Sequence, residues 1–178
     1  MDDGDHVANI STPRVVHIAR MGGLLPDREY AYQVRSVGGL WSNVFQFRTF
    51  PASSVNRTTT LLITADVGWG SIPKPAILET QEGMYDMHIH AGDMAYDMTM
   101  NHSQYGDAFF NALSPISSKI PFQAAAGNHE TDDHFCDFLS YRARLFNQNL
   151  TGSGMPHHSG QSRFLIFSQY ILTPCIDR

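Results

Sequence analysis

Three apolar runs of strand length, each closed by a glycine and an oxygen-bearing side chain, constrain this chain most. They are Thr59 to Ala65 (TTLLITA), Met87 to Ala91 (MHIHA) and Pro121 to Ala126 (PFQAAA). The first is a continuous apolar stretch bounded by turn residues, the pattern of a strand buried on both faces. Between the runs stand two helical patterns. Pro73 to Met84 has proline near its start and helix formers after it, and Gln104 to Leu113 sets Tyr105, Phe109, Phe110 and Leu113 on one stripe. A third helix is predicted over Asp132 to Phe146, capped by Asp132 or Asp133, with Phe135, Phe138, Leu139, Arg142 and Leu145 on a mostly apolar face. Strands and helices alternate with about 30 residues to a unit, which predicts an α/β fold with a parallel β-α-β-α-β core and right-handed crossovers. Ligands of such sheets sit beyond the carboxyl ends of the strands, so loops distant in sequence meet on one edge.

Residues 1–51 follow another rhythm. Arg14 to Arg20, Glu29 to Val37 and Asn43 to Phe50 alternate along their length, and Gly22-Gly23, Pro26-Asp27 and Gly38-Gly39 separate them. Three such strands predict part of a β-sandwich. Pro51 to Ser54 reads as a linker into a second region, 52–178.

The segments that close the three runs carry the chemistry. Thr64 to Gly68 (TADVG) supplies Asp66, Gly92 to Asp97 (GDMAYD) supplies Asp93 and Tyr96, and Gly127 to Glu130 (GNHE) supplies Asn128. Two carboxylates converging on one edge repel each other unless a cation lies between them. A carboxylate can also bridge two metal ions about 3.5–4 Å apart, the arrangement used for in-line displacement at phosphorus. Oxygen donors of this kind suit hard cations. Tyr96 lies three residues after Asp93, so one helical turn would point both side chains the same way. A phenol ligates in acid only when a strongly Lewis-acidic ion displaces its proton, which favours Fe(III) beside Tyr96. Gly68, Gly92 and Gly127 allow sharp turns and close backbone approach. Asp-x-Gly alone says little, whereas Gly-Asn-His-Glu is expected on the order of once in 10⁵ windows. His129 is read either as a proton donor to the leaving group or phosphate contact, or as a residue that orients the loop. His88 and His90 share a strand face and read as satisfied sheet positions. His157-His158 reads as a solvated loop pair, and the methionines around the second segment as core filler.

These residues resemble the purple acid phosphatases, the binuclear branch of the calcineurin-like metallophosphoesterases, and above all the long animal form with a fibronectin-type sandwich before its catalytic domain. The resemblance runs from about Arg14 to Asn149 and is lost after about residue 155. It includes LLPDREYAYQV, FQFRTFP, TADVGWG, GDMAYDM, GDAFFNALSPI, GNHE and YRARLF. Gly68 and Tyr96 point to the purple branch over nucleases and phosphodiesterases. The resemblance implies an incomplete metallophosphoesterase sandwich behind a partial fibronectin-type domain. It implies Fe(III) on Asp66, Asp93 and Tyr96, and a divalent ion (Zn, Mn or Fe(II)) on Asp93 and Asn128, with His129 near the phosphate. The implied reaction is hydrolysis of phosphate monoesters with an acid optimum.

The family pattern continues into V-x-x-H and G-H-x-H, which supply three histidine ligands, and neither motif is in this sequence. Four of the seven usual ligands remain. The isolated polypeptide is therefore expected to be a fragment, inactive or weakly active. The alternatives are a non-catalytic truncated isoform acting as a binding module, and a phosphodiesterase of the same superfamily.

The net charge of -5 lacks a basic nucleic-acid footprint, and no run reaches the roughly 18 apolar residues of a membrane span. The expected partner is thus a phosphate monoester, with no nucleic acid and no membrane. Self-association into a homo-oligomer is compatible with the sequence. Acceptor sites at Asn56, Asn101 and Asn149 point to a glycoprotein that is secreted or lysosomal, although no signal peptide is visible at Met1-Asp2-Asp3-Gly4-Asp5. Cys136 and Cys175 read as two buried thiols more readily than as a disulfide.

Overall fold

The computed structural model describes residues 17, 19, 21–52, 56–70, 72–130, 141, 144 and 145. The predicted helix over Asp132 to Phe146 (but for Tyr141, Arg144 and Leu145), the strand at Arg14 to Arg20 (but for two positions), RFLIFS, His157-His158 and both cysteines lie outside them.

Strands β1 (Glu29–Tyr32) and β2 (Phe45–Arg48) form an antiparallel pair in which Tyr30 faces Phe47 and Tyr32 faces Phe45. Cross-strand aromatics hold it: the Tyr30 and Phe47 rings stack at 5.7 Å, and Tyr32 meets Phe45 at 5.4 Å. Both strands are shorter than the alternating sequence suggested. After Tyr32 the chain turns back on itself, with Ser42 bonding to the Val34 amide in place of a sheet partner. The hairpin reaches the rest of the molecule through the Tyr32 hydroxyl, which donates to the Ser118 carbonyl at 3.1 Å.

The second sheet is parallel, in the order β3 (Leu61–Thr64), β4 (Met87–Ala91), β5 (Phe122–Ala125). Helix α1 (Lys74–Gln81) connects β3 to β4, and α2 (Met100–Ser117) connects β4 to β5. A sheet built outward in sequence order by right-handed crossovers places both helices on one face. Packing agrees, because Leu62 and Ala124 of the sheet share a core with Ala76 of α1 and with Phe109, Leu113 and Ile116 of α2. The expectation that β3 is covered on both sides is corrected by this arrangement. Leu62 is buried, while Ile63, on the opposite face, is 65% exposed. An apolar run cannot by itself say on which side the helices will lie.

Helix α2 runs past Leu113 to Ser117, through Pro115. The proline forfeits one backbone bond, yet Ile116, 1% exposed, anchors the last turn in the core. At its other end Asn101, His102 and Ser103 have left-handed backbone, so regular helix begins at Gln104, as the stripe predicts.

His88 and His90 point into this core and are 1% and 0% exposed. The Thr64 hydroxyl lies 2.7 Å from His88 Nε2 and 2.7 Å from His90 Nδ1, hydrogen-bonded to both rings. His88 Nδ1 and His90 Nε2 are buried without a hydrogen-bond partner. Protonating His88 would thus leave an N–H on Nδ1 with no acceptor among the described residues. Burial, with His90 nearby, pushes His88 down to about 4 from 6.5. Folded His88 stays neutral where the unfolded residue is charged, so stability is full above the unfolded value and falls as the pH drops towards 4. The loss is at most about 3 kcal/mol. Urea denaturation is expected to show this acid weakening, and His88→Leu to flatten it.

Candidate metal centre

The three loops beyond β3, β4 and β5 meet through their backbones before any side chain is considered. The Asp66 amide donates to the Gly92 carbonyl at 3.2 Å, joining the first loop to the second. Gly92 and Gly127 join the second to the third. Gly92 has φ +95°, and a methyl on it would fall 3.0 Å from the Gly127 Cα. Only two glycines allow such an approach.

Asp66 and Tyr96 come together. The Tyr96 hydroxyl donates to Asp66 Oδ1 at 3.0 Å, across thirty residues of sequence. That bond holds the phenol above its ordinary range, and burial and the Asp66 charge add to it. Asp93 is held from the third loop, where the His129 amide donates to its Oδ1 at 3.0 Å. The His129 ring lies on Tyr96 at 4.5 Å between centroids, and its Nδ1 is 3.1 Å from Asp97 Oδ1. Asn128 opens a 3-10 turn, Asn128–Glu130, so it enters the same edge one residue before His129. Asp66, Asp93, Tyr96, Asn128 and His129 therefore lie on one edge of the sheet.

The route taken by Tyr96 differs from the expected one. Asp93 and Tyr96 are not on a right-handed helical turn. Their φ angles are 55° and 50°, and that of Asp66 is 52°. Three of the four expected ligands thus sit in left-handed backbone, a real outlier for a bulky residue such as tyrosine. Strain of this kind costs about 1–3 kcal/mol per residue and gathers at functional sites.

Sequence reasoning passed over Glu130. It is 1% exposed, and its carboxylate accepts from the amides of Asp93 at 2.8 Å, Met94 at 2.7 Å and Gly127 at 2.7 Å. Burial raises its carboxyl, and the three amides pull the other way. The signal was present: a glutamate three residues after the glycine that starts a helical turn can reach back to that glycine's N–H, as in a capping box. Asp97, the partner of His129, was likewise read only as part of the GDMAYD string.

The donors fit a hard cation in kind: two carboxylates, a phenol and a carboxamide, with the phenol already hydrogen-bonded to a carboxylate. Among the described residues, no three His, Cys, Asp or Glu side chains converge as a ligand group. Among the described residues the edge thus brings together oxygen donors, with the His129 ring beside Tyr96 and Asp97. Among the same residues no helix is long and apolar enough to cross a membrane.

Parallel strands with carboxylates beyond their carboxyl ends make an α/β unit with its candidate site on one edge, and comparison with known proteins supplies the family. The chain is 33% identical over 133 residues to human acid phosphatase type 7, a match covering 73% of this chain and 29% of that protein. It is 27% identical over 136 residues to probable inactive purple acid phosphatase 1 of Arabidopsis thaliana, covering 66% of this chain and 22% of the plant protein. Among solved structures, purple acid phosphatase PPD1 from yellow lupin (Lupinus luteus) seeds superposes with a TM-score of 0.49 at 28% identity, over 62% of this chain and 22% of the lupin chain. No family model matches. This is a purple acid phosphatase-like chain, and it spans less than a third of the length of these relatives.

Proposed function

We propose that this chain carries the oxygen-donor half of a binuclear centre for phosphate monoester hydrolysis. The observation that carries the reading is the Tyr96–Asp66 hydrogen bond: a phenol and a carboxylate from two loops share one proton where a trivalent ion would replace it. Asp66, Asp93 and Tyr96 would hold Fe(III), and Asp93 with Asn128 would hold Zn, Mn or Fe(II). When bound, the two cations supply the nucleophile and neutralise charge on the phosphoryl group. The protein's own part is orientation. His129 N–H fixes the Asp93 carboxylate, Tyr96 lies beneath the imidazole, and Asp97 holds Nδ1. An imidazole so placed can give a proton to the leaving alcohol or contact the phosphate.

The β1–β2 hairpin is read as part of a fibronectin-type domain. The same reading places the protein in a secreted or lysosomal, glycosylated setting. With four of the seven usual donors in this sequence, the isolated chain is expected to turn over slowly or not at all. A second reading, a non-catalytic relative, is favoured by the absence of three converging His, Cys, Asp or Glu ligands among the described residues. Absorption of the Fe(III)-loaded chain separates the two. A visible phenolate-to-iron band that disappears in Tyr96→Phe is the expected result. No band in the unmodified chain would sink the metal-centre reading.

A further inference from the structure

Glu130 has no part in the chemistry proposed above, yet it is among the most constrained side chains of the edge. A carboxylate this deeply buried is costly unless hydrogen-bonded, and charge-assisted bonds are the strong ones. Among the described residues its hydrogen bonds go to backbone amides. Oε2 accepts from the Asp93 and Gly127 amides, and Oε1 accepts from the Met94 amide. Two of these donors belong to the loop that carries Asp93 and Tyr96. The third opens the turn that carries Asn128 and His129. One side chain thus clasps two loops more than thirty residues apart, and it does so with amides that leave strand pairing where β4 and β5 end.

We infer that Glu130 is a positioning residue that locks the second and third loops in ligand geometry before any cation arrives. This rests on the metal-centre reading for its purpose, though not for its geometry. Asp93 and Asn128 would be set by the polypeptide, and the ion would find its donors assembled.

The test uses the 178-residue chain, first free of metal. Amide exchange followed by NMR should show Asp93, Met94 and Gly127 protected to a degree approaching Ile89 and Gln123 in the strands. In Glu130→Gln the carboxamide has a single acceptor oxygen, so at least one of the three amides must lose its partner. Its exchange should quicken about 10-fold or more, with Ile89 and Gln123 unchanged. Zn(II) titration of the same variant should show affinity falling about 10–100-fold. Tyr141→Phe is the control. It removes the hydroxyl bond to the Ala124 carbonyl and should lower stability while leaving Zn(II) affinity in place. Unprotected amides in the unmodified chain, or unchanged protection in Glu130→Gln, would overturn the inference. Should Glu130→Gln fail to fold, the pattern in the unmodified chain decides alone. Protected amides with no Zn(II) or Fe(III) binding would keep the lock and sink the metal centre. Bound metal with unprotected amides would do the reverse.

Discussion

Alanine at Gly127 is expected to separate the second and third loops. Its methyl would fall 2.6 Å from the Asp93 amide nitrogen and 2.8 Å from the carboxyl carbon of the same residue. Neither neighbour can swing aside. The nitrogen is backbone held by Glu130, and the carboxyl is held by the His129 amide. Relief requires the whole Asp93 loop to move, which carries Tyr96 away from Asp66. Overpacking of this kind costs about 1–3 kcal/mol, and backbone neighbours put this case at the upper end. Urea denaturation should record that loss, and Fe(III) should no longer develop a phenolate band. Gly22→Ala is the matched control. Its methyl would meet nothing within 4 Å, so stability should stay within about 0.5 kcal/mol. An unchanged stability and an unchanged band in Gly127→Ala would show that the contact between these loops is looser than described.

Phe109→Ala should have the largest effect on the fold. The ring is 0% exposed and lies against His90 at 5.7 Å and Phe110 at 5.3 Å. It shares the core with Leu62, Leu113, Ile116 and Ala124, so it joins α2 to the helix-covered face of the sheet. Truncating a buried phenylalanine costs about 3–5 kcal/mol. Domains of this size are stable by only about 5–15 kcal/mol, so the variant is expected to be largely unfolded at modest urea. The exposed Phe50, 42% accessible at the hairpin's end, should tolerate alanine with little change. A small effect at Phe109 would mean that α2 packs less closely than the sheet geometry requires.

Much of this layout was readable from the residues. The three apolar runs are the three parallel strands, because β-rich apolar stretches ending in glycine have few other ways to fold. The stripe from Tyr105 to Leu113 is helix from Gln104 onward, as its period demands. Asp66 and Tyr96 meet because strand ends of a parallel sheet share an edge. Other features had no local signature. Which sheet face stays open depends on crossover handedness, not on the composition of β3. The continuation of α2 through Pro115 depends on burial of Ile116, a tertiary effect that outweighs the lost backbone bond. The left-handed backbone at Tyr96 could not be inferred from the sequence Asp-Met-Ala-Tyr, since a bulky side chain disfavours it, although aspartate at 93 tolerates it. Glu130 was hidden differently. Its bond to the Gly127 amide is legible in the Gly-x-x-Glu spacing, whereas its bonds to the Asp93 and Met94 amides, from a distant loop, carry no local sequence signal.

Left-handed backbone at Asp66, Asp93 and Tyr96 has a lasting consequence. Under the proposed metal centre, glycine at any of these positions would relax the main chain while deleting a donor. Relief of backbone strain and loss of ligands would then go together, so a relative lacking these side chains need not be a damaged protein.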